Sequence, residues 1–309
     1  MKSRKHSTPA VLAIALASLA LAACGDEGGG DGAGSSGEPV IVATTAIAAD
    51  VARQVAGPDA EVTQLLPNGS VPHSYSLSAS EQQQLEGADL LVYFSPLLEE
   101  ALPLDSADRS FEIAEHAGPL RKGGEHHQGD GAPSEGAVDP HLWLDPTILA
   151  KALPSLADEL GEIDPDHAEE YTARADDYAG ELAELDGEIE RLMDSVPTEN
   201  RKLVTSHDVL GYFADRYRFE FVGAPFGTSP EAEANAGELA ELIEAVEAAG
   251  VPAVFAQQGD DPKVLQRVAD ETGAAVVDDL LLESLSGEVD SYTEMMRDTA
   301  AKISDGLRG

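Results

Sequence analysis

Three of the eight histidines lie in turn-rich segments, where each could present a ring nitrogen to a metal ion. They are His73 in SVPHSYSLS, His141 in DPHLWLDP and His207 in VTSHDVLGYF. They are 68 and 66 residues apart, so they cannot share one helix as the histidines of an HExxH motif do. Neutral imidazole is the commonest metal ligand among side chains. The spacing is what a site assembled from separate loops would show, although scattered histidines would show it too.

Prolines fix the backbone immediately before two of these histidines. Pro72 precedes His73, and Pro140 precedes His141. Because proline locks its own backbone angle, the following ring has fewer positions to sample. An imidazole restricted in this way loses less entropy when it binds an ion. The prolines therefore favour a binding role for these two histidines.

Carboxylates beside two of the histidines are candidates for orienting the rings. Asp139 and Asp145 flank His141, and Asp208 follows His207. A histidine that binds a metal usually donates its other ring N–H to a carboxylate or a carbonyl. We therefore expect one of these aspartates to hold its neighbouring ring.

Apolar strands alternate with helices from residue 39 onward. Strands are predicted at residues 40–44, 61–66, 90–94, 203–205, 219–222, 254–256 and 274–277. Helices are predicted at 47–56, 80–85, 209–217, 234–249 and 292–307, and Pro262 occupies a typical first helical position. This alternation predicts an α/β fold of two lobes, each with a mainly parallel sheet flanked by helices. In such folds ligands bind beyond the carboxyl ends of the strands, near which the three histidines fall.

One long amphipathic helix is predicted between the two halves. In residues 165–196, apolar side chains recur every three or four positions and the remaining positions are mostly charged. At about 1.5 Å per residue this helix would run roughly 45 Å and join the lobes rigidly. We therefore predict an N-terminal lobe over 39–162, a linking helix over 163–198 and a C-terminal lobe over 199–309.

The N-terminus has the pattern of a secretory signal. Basic residues precede an apolar run at 10–22 that is short for a membrane span, and the run ends in Leu-Ala-Ala-Cys, which resembles a bacterial lipobox. We expect a signal peptide over 1–23, a lipid on Cys24 and a flexible tether over 24–38. These features predict an extracytoplasmic protein anchored to a bacterial cell membrane. Since Cys24 is the only cysteine, no internal disulfide can form.

The charge balance excludes one class of partner. The formal net charge is −39, and it would reach −42 after loss of the three basic residues in the signal. A polyanion repels phosphates, so we expect no nucleic-acid partner. The 42% hydrophobic content is enough for a folded core, and acidity itself selects no function.

The chain resembles the metal-binding solute-binding lipoproteins of ABC-type zinc and manganese importers. The resemblance covers nearly the whole chain and rests on the lipobox, PHSYSLS, DPHLWLDP, the long helix and SHDVLGYF. It implies that His73 and His141 bind the ion. The third ligand of this family is His or Glu, and the matching residue here is His207.

The resemblance implies an acidic fourth ligand. The family has Asp in a segment like LYTDSLG, and the matching run here, LLLESLS, places Glu283 there. Asp278 and Asp279, a few residues upstream, are the competitors. Three imidazoles with one carboxylate favour Zn²⁺, whereas Mn²⁺, which prefers more oxygen ligands, is the alternative.

The resemblance implies a protein that captures a divalent ion between its lobes and delivers it to an ABC permease with its ATPase. We expect a monomer with no catalytic activity. Two alternatives stay open: a lipid-anchored zinc hydrolase, and a surface adhesin or metal buffer with the same site. His126 and His127, in the glycine-rich loop 121–137, would either collect metal weakly or belong to an ordinary loop.

Overall fold

The computed structural model describes residues 38–70, 72–122, 138–225, 236–259 and 262–308. Residues 37–309 form one compact unit. The predicted signal peptide, the lipidation site Cys24, nearly all of the tether and the pair His126 and His127 lie outside the described residues. Among the residues described, no helix has both the length and the apolar character needed to cross a membrane.

The N-terminal half is built on a four-stranded parallel sheet in the order β2-β1-β3-β4. Its strands are β1 (Val40–Ala43), β2 (Glu61–Gln64), β3 (Leu90–Tyr93) and β4 (Ser110–Glu112). The sequences VIVA and LLVY form the two central strands and are almost wholly buried. Helices cover both faces of a parallel sheet, which is why its central strands are apolar at every position.

Five helices accompany this sheet in the described residues. They are α1 (Ala46–Ala56), α2 (Ala79–Glu86), α3 (Ile113–His116), α4 (Pro146–Leu149) and α5 (Leu153–Ile163). Helix α1 begins after Thr45, whose side chain accepts a hydrogen bond from the backbone of Ala48. Helix α2 begins with a reciprocal capping box between Ser78 and Glu81. These caps fix where the chain leaves β1 and where it resumes after the segment that carries His73.

The C-terminal half contains two parallel strand pairs, β5-β6 and β7-β8. An isolated parallel bridge between Thr205 and Phe255 connects the pairs. The strands are β5 (Lys202–Val204), β6 (Glu220–Gly223), β7 (Ala253–Gln257) and β8 (Ala275–Leu280). The helices described here are α7 (Gly211–Tyr217), α8 (Ala236–Ala249), α9 (Lys263–Thr272) and α10 (Tyr292–Arg308).

Helix α6 (Ala168–Asp194) is the predicted long helix, and its 27 residues form one uninterrupted element. It packs against α1, α4 and α5 of the first half and against α10 of the second. Its buried residues, including Tyr178, Leu182 and Leu185, belong to one apolar cluster that extends from Ile41 to Leu307. The α/β class, the parallel sheets and the long helix are therefore confirmed, whereas the exact lobe boundaries stay a prediction.

Several elements were not predicted. Strand β4 has only three residues, too few for a periodic pattern. Helix α5 was also not predicted, although its buried leucines recur at helical spacing. Helix α9 was predicted only through Pro262. Pro262 is the residue just before α9 and not its first helical position. Strand β8 extends three residues beyond the predicted segment 274–277, through Asp278, Asp279 and Leu280. The two aspartates interrupt the apolar pattern, so the sequence alone did not predict this extension.

Candidate metal centre

His141 is fully buried, with 0% of its surface exposed, and its ring is oriented by Asp139. The carboxylate oxygen Oδ1 of Asp139 accepts hydrogen bonds from the His141 backbone N–H at 3.0 Å and from Nδ1 at 2.8 Å. The Asp139-Pro140-His141 turn thus closes on itself. With Nδ1 engaged, Nε2 is the nitrogen left to bind a ligand.

Asp139 is itself held by groups from both halves of the chain. Arg121 Nη1 lies 3.0 Å from Asp139 Oδ2, and Arg121 Nε lies 3.0 Å from Asp215 on α7. The Tyr212 hydroxyl accepts from the Arg121 backbone N–H at 2.9 Å and donates to the Asp139 carbonyl at 3.1 Å. Gly211, the first residue of α7, lets the guanidinium approach, because a Cβ there would lie 2.3 Å from Arg121 Nη1.

His73 lies in a short 3-10 turn, Pro72–Ser74, that follows β2. Its ring makes a hydrogen bond with the backbone of Leu97. Its Nε2 is shielded from solvent and has no hydrogen-bond partner among the described residues. The His73 and His141 ring centroids are 6.3 Å apart, so both rings face the same centre.

His207 follows β5, and its backbone is fixed by its neighbours. Its carbonyl accepts hydrogen bonds from the Thr205 hydroxyl and from the Val209 N–H. The residue is fully buried, and neither ring nitrogen has a hydrogen-bond partner in the described part of the chain. Its ring centroid lies 5.6 Å from that of His141, and its Nε2 lies 3.8 Å from Glu283 Oε2.

Glu283 reaches the same centre from the segment after β8. It is buried, and its Oε1 lies 3.6 Å from His141 Nε2. A register shift in the β7-β8 pair inserts an extra residue before Leu280, and Asp279 there has a φ of 68°. This bulge leaves Asp278 and Asp279 exposed. Of the three acids considered from the sequence, only Glu283 lies beside the histidines.

The potential ligand atoms are close enough to share one ion. One atom each from His73, His141 and Glu283 lies within 4.8 Å of the other two, and His207 lies beside this set. The unpartnered buried atoms of the described chain include His73 Nε2, His141 Nε2, both His207 nitrogens and Glu283 Oε1. Buried polar groups are normally hydrogen-bonded, so such a concentration needs an explanation. A divalent cation would satisfy one atom from each of these four residues at once, and it would leave the second ring nitrogen of His207 without a partner.

Burial and charge divide the titratable groups of the site. Burial lowers the pKa of His207 to about 4 and also lowers that of His73. Burial acts in the same direction on His141, but the hydrogen bond to Asp139 and the nearby negative charges of Asp139 and Glu283 outweigh it and raise the pKa to about 10. For Glu283, burial opposes ionisation, but contacts with His141 and His207 outweigh it and hold the carboxyl pKa far below its usual range. These shifts favour a protonated His141 beside an ionised Glu283, and a neutral His207.

Other predicted residues lie elsewhere. Asp145 accepts a hydrogen bond from the Thr147 backbone and caps α4, so it does not orient His141. Asp208 is buried near Arg121, and the unpartnered nitrogens of His207 show that it does not hold that ring. The exposed His116 stacks on Phe111, away from the site.

Besides Arg121 and Tyr212, two residues that were not predicted contact the candidate ligands or the segments that carry them. Gln257, the last residue of β7, donates to Glu283 Oε2 at 2.6 Å. Trp143, two residues after His141, donates from Nε1 to the carbonyl of Leu282 at 2.7 Å. Trp143 lies in the DPHLWLDP segment, and a buried indole N–H needs a hydrogen-bond acceptor. The sequence could therefore have predicted that Trp143 donates a hydrogen bond, but not to which residue. Nothing in the sequence around Gln257 distinguishes it from Gln258.

Comparison with known proteins gives a consistent assignment. The profile of the family described as zinc-uptake complex component A, periplasmic, matches residues 41–306. The chain is 29% identical over 298 residues to the manganese-binding lipoprotein MntA of Halalkalibacterium halodurans, covering 95% of this chain and 96% of that one.

Two solved structures resemble the whole described fold. The periplasmic zinc-binding protein TroA from Treponema pallidum is 26% identical, with a TM-score of 0.78 over 88% of this chain and 100% of that chain. A mutant of the laminin-binding adhesin Lmb from Streptococcus agalactiae is 27% identical, with a TM-score of 0.76 over the same shares. Because the family profile spans most of the sequence, this chain belongs to the periplasmic zinc-uptake complex component A family.

Proposed function

We propose that this protein is the substrate-binding component of a metal ABC importer and that it captures Zn²⁺ at His73, His141, His207 and Glu283. The observation that carries the proposal is the convergence of buried, unpartnered nitrogen and oxygen atoms on one centre. The atoms that share this centre come from the segments of His73, His141 and Glu283, and His207 lies beside them with its Nε2 3.8 Å from Glu283 Oε2. A metal ion binds through the lone pairs of such nitrogen and oxygen atoms. These lone pairs must be free of hydrogen bonds for the ion to reach them.

The donor set supports zinc over manganese. Three imidazole nitrogens and one carboxylate match the ligands and the near-tetrahedral geometry that Zn²⁺ prefers. Manganese prefers more oxygen donors and a higher coordination number. The relatives are named for both metals, so the choice rests on the donors of this chain.

The position of Glu283 supports binding over hydrolysis. A catalytic zinc site keeps one coordination position open for water or substrate, with three protein ligands in the other positions. Here a buried carboxylate oxygen lies 3.6 Å from His141 Nε2, where a fourth ligand would be. An ion enclosed by four protein donors has little room for a substrate.

Family membership also bears on location and partners. The family is described as periplasmic and the relative MntA as a lipoprotein, which agrees with the extracytoplasmic, membrane-anchored location predicted from the N-terminus. A lipid on Cys24 would hold the folded unit near a permease and its ATPase. A monomer is sufficient for this role, since all four proposed ligands come from one chain.

A second candidate function is adhesion, which the likeness to Lmb favours. The same metal site would then stabilise a surface that binds a host protein. Deleting the gene separates the two functions: loss of zinc-dependent growth that added zinc restores supports import, whereas loss of surface attachment alone supports adhesion.

Isothermal titration with ZnCl₂ tests the proposed site. The purified wild type should bind one zinc per chain. The His141→Ala variant should lose tight binding, because it lacks the imidazole that Asp139 orients toward the ion. His116→Ala is the matched control, since it removes an exposed histidine outside the site and should bind like the wild type. Full stoichiometry and affinity in His141→Ala would show that the site is wrongly assigned.

A further inference from the structure

Gln257 reaches Glu283 from the end of β7. Its Nε2 donates to Glu283 Oε2 at 2.6 Å, a short contact of the kind made by charge-assisted hydrogen bonds. The register shift in the β7-β8 pair falls between Phe255 and Gln257. Shifts of this kind re-aim the next side chain. The extra residue lies in β8, so the irregularity shifts the segment that leads to Glu283 relative to Gln257.

The chemistry of the amide fixes its orientation. Turned the other way, Gln257 would place its carbonyl oxygen against the Glu283 carboxylate, and two acceptors would repel each other. In the orientation observed, Gln257 Oε1 is buried with no hydrogen-bond partner in the described chain. The carboxylate contact is thus favourable enough to leave the other end of the amide unsatisfied.

The hydrogen bond makes the two oxygens of Glu283 unequal. Oε2 is engaged by Gln257, whereas Oε1 has no hydrogen-bond partner among the described residues and lies 3.6 Å from His141 Nε2. Oε2 also lies 3.8 Å from His207 Nε2, close enough to join an ion there if it were free to move. Gln257 holds this second oxygen back.

We propose that Gln257 is a positioning residue that sets metal preference by holding Glu283 to coordination through one oxygen. This inference rests on the metal site of the proposed function. With Oε2 withheld, the ion receives one oxygen and three nitrogens, which is a four-coordinate set suited to zinc. Release of Oε2 would add an oxygen and a fifth position, which suits manganese better.

The test compares Gln257→Met with Gln258→Met. Methionine has nearly the length of glutamine but cannot donate, and Gln258 is the exposed neighbour whose contacts are with Asp279 and Ser286. Titrations with ZnCl₂ and MnCl₂ should show a roughly 10–100-fold weaker zinc affinity in Gln257→Met and a smaller zinc-to-manganese ratio. Gln258→Met should keep the wild-type ratio. An unchanged ratio in Gln257→Met would overturn the inference.

Cobalt(II) absorption gives a second readout, and its wild-type measurement does not depend on whether the variant folds. Four-coordinate Co²⁺ absorbs visible light much more strongly than five- or six-coordinate Co²⁺. The wild type loaded with CoCl₂ should show intense bands, and Gln257→Met should show weaker ones. Weak bands in the wild type would overturn the role of Gln257 while leaving the metal site intact. If the wild type bound neither zinc nor cobalt, the proposed function itself would fail.

Discussion

The two halves of the molecule present their donors to the site in different ways. The N-terminal sheet is continuous, its four strands keep a regular register, and its histidines come from loops. Those rings are braced by hydrogen bonds, His141 by Asp139 and His73 by the Leu97 backbone. In the C-terminal half both strand pairs shift register just before the donor segments, and the His207 ring has no partner within the described residues.

This difference indicates two ways of preparing a metal ligand. In the first half, hydrogen bonds orient each ring before the ion arrives, so the loss of a hydrogen-bond partner should weaken binding. In the second half, backbone irregularities precede both donor segments, and only Glu283 is also held by a side-chain hydrogen bond, from Gln257, so a change in backbone preference should weaken binding as well. Two predictions test this contrast, and two more test the charges of the rings, in order of decreasing effect.

Asp139→Asn tests the bracing of the N-terminal ligand. The variant loses the charge that holds both His141 and Arg121, so zinc affinity should fall roughly 10–100-fold in calorimetric titration. Asp215→Asn is the matched control, because it removes the charge of the second carboxylate that contacts Arg121. The side chain of Asp215 is 68% exposed. Surface ion pairs contribute little, so its affinity should stay within about twofold of the wild type. If both variants lost the same zinc affinity, the effect of Asp139→Asn could not be attributed to the hydrogen bond that orients His141.

Asp279→Val tests the role of the backbone in the C-terminal half. Asp279 has a φ of 68°, a conformation that aspartate tolerates and a β-branched residue resists. The substitution should lower the free energy of unfolding by roughly 1–2 kcal/mol and weaken zinc binding several-fold by displacing the Glu283 segment. Denaturant melts and zinc titrations measure both quantities. Asp278→Val changes the neighbouring exposed residue and should alter neither the unfolding free energy nor the zinc affinity. Equal effects of the two variants would refute a role for the Asp279 backbone.

Proton release tests the unequal charges of the rings. In the metal-free protein His141, with a pKa of about 10, is protonated at pH 7.5, whereas His207, with a pKa of about 4, is neutral. Zinc should therefore displace roughly one proton, measured by calorimetry in buffers of different ionisation enthalpy. Release of two or more protons would show that the rings are charged alike.

The same pKa values fix how the stability of the metal-free protein depends on pH. Because the pKa of His141 is raised above that of the unfolded chain, its stabilising contribution is complete below about pH 6.5 and is lost as pH rises toward 10. Burial lowers the pKa of His207, so its penalty appears as pH falls from about 6.5 toward 4. Thermal melts between pH 4 and 10 should therefore show reduced stability at both ends of the range.

Local patterns predicted most of the scaffold. Buried strands such as VIVA and LLVY have sequences that hardly fit any other element, and the apolar spacing in α6 defines its buried face. The three histidine segments were also predictable, since each combines turn residues with a nearby strand end. These features depend on neighbours a few residues apart, and such neighbours are visible in a sequence.

The fourth donor depended on information that a single sequence does not carry. Asp278, Asp279 and Glu283 are all acidic and close together, and only the bulge in β8 decides which of them is buried. Gln257 was missed for the same reason, because its role arises from a cross-strand contact with a residue 26 positions away. Contacts of this kind follow from three-dimensional packing and not from periodicity.

The apolar cluster shared by both halves has a consequence for metal exchange. Separating the halves would expose side chains on α1, α6 and α10 to water, at a cost of roughly 25 cal/mol for each Å². We therefore expect an ion bound at the proposed site to leave through local displacement of a short segment, such as the turn Pro72–Ser74. Local openings expose little surface and proceed independently of global unfolding. On this view the lifetime of an ion at the proposed site would depend on single loops, and it could change between related proteins without any change in the stability of the whole protein.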